Sequence, residues 1–188
     1  MNTTGPAPRR IAVIGPPGSG KSTTATALAD RLGLAHLELD ELFHGPDWAE
    51  PTTQEFRQTV MEALGSAEAD RGGWAVAGNY VMVADLVQGR ADTIVWLDLA
   101  RRHTMPRVVK RTLRRAAFRE ELWNGNRERW RDALHPHRSM IVEAWKAQPK
   151  HRARYDDLSE TPLWANATVH RVSTPADVDA VTEQLVSS

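Results

Sequence analysis

Residues 15–22 read Gly15-Pro16-Pro17-Gly18-Ser19-Gly20-Lys21-Ser22, which satisfies G-x-x-x-x-G-K-[ST] at every fixed position. The chemistry available to this spacing is phosphate binding. Its glycines let the backbone curl so that successive N–H groups point inward at an anion, reinforced by the positive end of the following helix. Gly15, Pro17, Gly18, Ser19, Gly20, Lys21, Ser22 and Thr23 are therefore the candidate nucleotide contacts. Lys21 is expected to reach the β- and γ-phosphates, and the Ser22 hydroxyl to ligate Mg²⁺. The context agrees. Ile11-Ala12-Val13-Ile14 has the length and branching of a buried parallel strand, while Ala25, Leu28, Ala29 and Leu32 recur at helical spacing before Gly33. Strand, loop and helix together separate this match from a glycine-rich surface turn. With no N-K-x-D guanine reader in the chain, the expected ligand is ATP with Mg²⁺.

Transfer of a phosphoryl group to a hydroxyl also needs a carboxylate, either to take the departing proton or to hold a metal-bound water. His36-Leu37-Glu38-Leu39-Asp40 reads as a second strand ending in an acid, and Asp40 is the candidate for either role. Glu41, His44 and Trp48 follow it as candidate acceptor contacts. The third strand, Trp74-Ala75-Val76-Ala77, runs into Gly78-Asn79-Tyr80. No Asp follows Val76, so the usual Walker-B carboxylate is missing there. Asn79 and Tyr80 are expected to hydrogen-bond to and stack on an acceptor. Asp98, ending the fourth strand Thr93–Leu97, could assist a metal through water or cap the next helix.

Equal totals of 24 basic and 24 acidic residues conceal a charge asymmetry. Residues 101–154 hold 16 Lys and Arg against 5 Asp and Glu, a net of +11, while both flanks are acidic. Such a block suits a phosphate clamp, a solvated helix face or nucleic acid. Arg107 and Arg111 share a helical face one turn apart, and Arg115 extends it toward a turn-rich stretch containing Arg127. Arginine dominates, which fits planar, bidentate contact with phosphate oxygens. Arg107 and Arg111 are thus candidate nucleotide contacts, and Arg111, Arg115 and Arg127 candidate catalytic groups beside Lys21 and Asp40. His135-Pro136-His137 has no carboxylate or cysteine cluster around it to make a metal site.

Positioning these groups calls for strands alternating with helices, hence a parallel sheet covered on both faces with ligands at the strands' C-terminal ends. Further helices are expected from the Thr52/Glu55 capping box, at about 102–118, from about 127, and over Pro175–Leu185, with a last strand over 167–172. The expected fold is one three-layer α/β P-loop domain over 1–188, five parallel strands in order 2-3-1-4-5, with a helical lid over about 112–137. At 188 residues one domain is the natural count. The absence of cysteine rules out a disulfide framework. The polar, proline-broken start is unlike a secretory leader, and no apolar run approaches a membrane span, so the cytoplasm is the expected location.

These features resemble the adenylate-kinase-like group of small P-loop kinases. In that group the arginines matching Arg107 and Arg111 hold the adenine face and the phosphates of ATP. The sequence also resembles a bacterial branch labelled DNA topology modulation proteins. It shares with that branch the Leu39-Asp40-x-x-Phe43…Trp48 loop, Gly78-Asn79-Tyr80, Trp96-Leu97-Asp98 and Trp123-Asn124-Gly125-Asn126-Arg127-Glu128. The adenylate kinase signatures T-G-D-x-[LM]-R and G-F-P-R are absent, so an AMP site is not implied. The Asp40 placement is similar to kinases of small hydroxylated molecules such as shikimate or gluconate. The expected activity is ATP-dependent phosphoryl transfer to a small hydroxylated or phosphorylated acceptor such as a nucleoside or nucleotide. The alternatives are a nucleic-acid-associated regulatory ATPase and a P-loop protein that binds nucleotide without turnover.

Overall fold

The structure, a computed structural model, describes residues 7–118, 123–126 and 140–187. Five strands form one sheet: β1 (Arg10–Ile14), β2 (Ala35–Glu38), β3 (Trp74–Ala77), β4 (Thr93–Leu97) and β5 (Thr168–Val172). All pairings are parallel, as the alternating pattern implies, and the spatial order is the expected β2-β3-β1-β4-β5. Among the described residues seven α-helices join them: α1 (Lys21–Leu32), α2 (Leu39–Phe43), α3 (Thr53–Arg71), α4 (Ala84–Val87), α5 (Arg101–Phe118), α6 (Met140–Ser159) and α7 (Pro175–Val186).

Two-residue alternation along the central strands divides the interior into two cores. Ala12, Ile14, Val76, Ile94 and Trp96 face α3 and α6, packing with Phe56, Val60, Leu64 and Tyr155. Ile11, Val13, Ala75, Ala77, Val95 and Leu97 face the other way, toward Ala25, Leu28 and Ala29 of α1 and Leu185 of α7. The Thr52/Glu55 capping box starts α3, with Glu55 N–H donating to Thr52 Oγ1 at 3.2 Å and Thr52 N–H to Glu55 Oε2 at 2.8 Å.

Two sequence expectations shift. Strand β2 ends at Glu38, and Asp40 lies inside the one-turn helix α2 rather than at a strand end. Leu39 and Phe43, four residues apart, bury one face of that turn and roll the chain out of the sheet. Of the anticipated lid over 112–137, the described part is the end of α5 and the turn 123–126; the remainder, with Arg127 and His135–His137, lies outside the described residues.

Helix α6 carries a proline in its interior. Pro149 has no N–H to offer the carbonyl of Trp145. Arg101 satisfies that oxygen instead, donating from Nη2 at 2.8 Å, and its guanidinium lies 4.3 Å from the Trp145 ring centre. Two more ties fix α6 to the C-terminal end of β4. Buried Gln148 donates to the Leu99 carbonyl, and Arg152 pairs with Asp98 at 2.8 Å.

Candidate functional site

The P-loop links β1 to α1 and is shaped by three left-handed glycines, at φ of 149° (Gly15), 76° (Gly18) and 99° (Gly20). Gly18 has a further constraint. A Cβ there would sit 2.6 Å from the Thr104 carbonyl oxygen of α5, so only glycine lets the loop lie against that helix. Helix α1 begins with no side-chain cap and no acid in its first turn. Its leading N–H groups are left for an anion. The Ser19 hydroxyl is buried with no hydrogen-bond partner, a polar atom suited to a phosphate oxygen.

Lys21 rests on the loop that carries it, with Nζ donating to the carbonyls of Gly15 at 3.0 Å and Pro16 at 3.3 Å. Burial pulls its pKa down, and the nearby carboxylates of Asp40 and Glu38 partly restore it. Arg111 acts in the same direction as burial. A cleft of about 1050 Å³ opens over the loop. The P-loop residues Pro17 to Thr23 line it, and so do Arg107, Arg111 and Arg115 from α5. Arg107 Nη1 lies 3.8 Å from where a Gly20 Cβ would stand. The basic face of α5 is therefore turned inward over the P-loop.

Asp40, Asn79 and Tyr80 also line the cleft. The Tyr80 hydroxyl donates to Asp40 Oδ1 at 2.8 Å, leaving Oδ2 as a second acceptor site. Burial and the Asp40 charge push the phenol far above its ordinary pKa, so it stays a donor. Tyr80 packs against Phe43 and Phe56, with ring centres 4.7 and 5.1 Å away. Asn79 does something that its position in sequence did not suggest. Its amide donates to the Gly15 carbonyl while its Oδ1 accepts the Gly15 N–H at 3.2 Å, so it buttresses the P-loop from below.

Glu41, His44 and Trp48 are not among the residues lining this cleft. They belong to a neighbouring loop that the turn 123–126 grips. Asn126 accepts the Trp48 N–H at 2.9 Å and donates to the Gly45 carbonyl at 2.9 Å, and Asn124 donates to the His44 carbonyl at 2.6 Å. Asp47, Trp48 and Asn124 are the non-glycine residues with left-handed backbones among the described residues, and all lie in this junction. Asp98, ending β4, is committed elsewhere. It is 6% exposed and paired with Arg152 at 2.8 Å and Arg171 at 2.7 Å, while Arg171 stacks 3.9 Å from the Trp96 ring centre.

Glu38 is the carboxylate that pattern reading passed over. As the last residue of β2 it lines the cleft 8% exposed and bonds to the Ser22 hydroxyl. Burial raises its pKa and the Ser22 bond lowers it in part. The signal was the strand alternation that sets Glu38 on the opposite face from Leu37. Mg²⁺ takes oxygen ligands from one or two carboxylates together with substrate phosphates. Ser22, Glu38 and Asp40 fit that donor chemistry. His151 of α6 also lines the cleft, and nothing in its local sequence marked it.

A mononucleotide-binding loop at the C-terminal edge of a 2-3-1-4-5 parallel sheet, roofed by arginines, defines the P-loop kinase class of α/β domains. The chain belongs to the AAA_33 family, described as an AAA domain, whose model matches residues 11–178. Its relatives are kinases. It is 30% identical over 149 residues to a shikimate kinase of Streptomyces avermitilis, covering 73% of this chain and 83% of that one. It is 64% identical over 33 residues to a cytidylate kinase of Halorubrum lacusprofundi, a match spanning 18% of this chain and only 17% of that protein. The fold resembles that of the shikimate kinase from Acinetobacter baumannii in complex with shikimate. The TM-score is 0.51 at 14% identity, covering 95% of this chain and 90% of that one.

Proposed function

We propose that this protein is an Mg²⁺-ATP-dependent kinase acting on a small hydroxylated or phosphorylated acceptor. The observation that carries the reading is convergence: Arg107, Arg111 and Arg115 face the same cleft as Lys21, Glu38 and Asp40. A helix face serving nucleic acid would turn its arginines outward.

In this mechanism the P-loop N–H groups and the Ser19 hydroxyl hold the triphosphate. Lys21 leaves the Gly15 and Pro16 carbonyls for the β- and γ-phosphates. Ser22 and Glu38, with Asp40 beside them, would hold Mg²⁺, which supplies charge neutralisation at the phosphates when bound. The acceptor hydroxyl attacks the γ-phosphorus as the bond to the β–γ bridging oxygen breaks. Its proton passes to Asp40 Oδ2, oriented by the Tyr80 bond to Oδ1. Arg111 and Arg115 balance the charge on the transferring group.

Arg127 completes the cationic set in this reading, and the chain works as one domain with a lid over about 112–137. The acceptor side in this reading is the Glu41–Trp48 loop clamped by the turn 123–126, where Glu41, His44 and Trp48 would act. A cytoplasmic setting suits such a metabolite kinase, and no helix among the described residues is long and apolar enough to cross a membrane. The test is ADP production from ATP and Mg²⁺ across a panel of nucleosides, nucleotides, shikimate and gluconate, with ³¹P NMR of the product. Tight ATP binding with no acceptor phosphorylated would overturn the kinase reading in favour of a nucleotide-binding protein. Salt-sensitive DNA binding that stimulates ATP hydrolysis would favour a nucleic-acid-associated ATPase.

A further inference from the structure

Helix α6 presents one side chain to the cleft that the mechanism above leaves unused. His151 shares a helical face with Gln148 and Tyr155, at offsets of −3 and +4, and is followed directly by the anchor Arg152. Gln148 is tied to Leu99 and Arg152 to Asp98. Tyr155 is fully buried against Trp96 and Trp164, with ring centres 5.8 and 6.1 Å away. The imidazole itself stacks on Tyr155 at 22°, with ring centres 5.8 Å apart. His151 is thus held on a braced surface, with its remaining edge open to the cleft that Lys21 and Arg111 share.

Resting on the nucleotide reading above, we propose that His151 is a triphosphate-facing residue that takes up a proton as ATP enters, adding a cation from α6 to those of α1 and α5. The groups around it set the direction. Lys21 from α1 and Arg154 from α6 itself repel a proton on the ring, and burial disfavours the charge most of all, so the empty protein holds His151 down to about 4. Arg107, Arg111 and Arg115 bring further positive charge from α5, while Glu38 and Asp40 oppose it from across the cleft. A bound triphosphate reverses the balance. It neutralises Lys21 and the α5 arginines and places negative charge in the cleft before the ring. Above the ordinary imidazole range the ring is neutral in the empty cleft in any case, and charge appears there only when a phosphate is present to pair with it.

If the bound state returns His151 to its ordinary range of roughly 6–6.5, proton linkage makes ATP bind about 4- to 10-fold tighter at pH 5.5 than at pH 7.5. Protonation of the nucleotide itself is common to all variants, so the readout is wild type relative to His151→Gln, which keeps a hydrogen-bonding side chain but cannot titrate. Calorimetric titration of the full chain with the non-hydrolysable analogue AMP-PNP and Mg²⁺, at pH 5.5–7.5 and in buffers of different ionisation enthalpy, measures both Kd and protons taken up. The expected result is proton uptake near pH 6 in wild type that His151→Gln lacks, with the Kd ratio between the two widening by that factor as pH falls. His151→Asn, checked by thermal melting, guards against a folding defect in one variant. Equal proton uptake and a pH-independent Kd ratio, with normal nucleotide binding, would overturn the role of His151 and leave the kinase reading standing. A wild-type protein that binds no nucleotide would overturn both.

Discussion

Replacing Asn79 by alanine separates a residue that supports the P-loop from one that touches an acceptor. In the structure its side chain makes two hydrogen bonds to a single residue, donating to the Gly15 carbonyl and accepting the Gly15 N–H at 3.2 Å. The carbonyl keeps a second donor, Lys21 Nζ at 3.0 Å, but the N–H loses the partner that holds it. Each such bond contributes about 1 kcal/mol, and a part-buried donor left unsatisfied costs about 1–3 kcal/mol. The sum for Asn79→Ala is about 2–4 kcal/mol, or a Tm lowered by roughly 5–12 °C for a domain of this size. Gly15 is also where strand β1 bends into the loop, so freeing it loosens the N–H cradle. ATP affinity should weaken by roughly 10-fold, the equivalent of about 1.4 kcal/mol. Asn79→Asp keeps the acceptor for the Gly15 N–H but sets a carboxylate against the Gly15 carbonyl, and should lose at least as much stability. Differential scanning fluorimetry and titration with a fluorescent ATP analogue read both quantities without any acceptor. An Asn79→Ala protein that melts within 1 °C of wild type, on a scale where about 0.3 kcal/mol is resolved, and binds ATP unchanged would refute the buttress.

Lys21→Ala should cut turnover by about 3–4 kcal/mol of transition-state stabilisation, as steady-state kcat would show, because its ammonium meets charge that grows on the β–γ bridge. Asp40→Asn should lower kcat by roughly 10²–10⁴ with the Kd for ATP nearly unmoved, whereas Arg111→Ala should raise Kd as well and Arg111→Lys should recover only part of the loss. Weakened ATP binding with intact chemistry in Asp40→Asn would contradict its role as the base. Burial holds His36, His151 and His170 below the ordinary imidazole value, His151 at about 4. The unfolded chain therefore binds more protons between about pH 6.5 and 4, and stability falls as pH drops through that window. Urea melts across this range should show the loss, and His151→Gln should flatten part of it.

Much of this protein was set locally. The G-x-x-x-x-G-K-[ST] spacing between an apolar strand and an amphipathic helix is enough to specify a phosphate cradle, because loop curvature, exposed N–H groups and helix polarity are properties of contiguous residues. The all-parallel sheet followed from alternation of strands with helices, since parallel neighbours must be joined by a crossover connection. The capping box at Thr52 is read four residues at a time. What lay beyond reach was every choice that depends on a partner far along the chain. Asn79 is 64 residues from the glycine it grips. Asp98 reads like a metal-directing acid until Arg152 and Arg171 arrive on separate elements to claim it. Glu38 and Asp40 were both visible as acids, but only the roll of Leu39 and Phe43 into the core decides that the strand ends between them and that Glu38 meets Ser22. His151 gains its surroundings from a helix braced through Leu99 and Asp98, contacts about 50 residues away in sequence that no local window contains. Periodicity and spacing fix the backbone frame because local sterics and burial do; the pairing of side chains across that frame is fixed by packing, and packing exists only once the chain has folded.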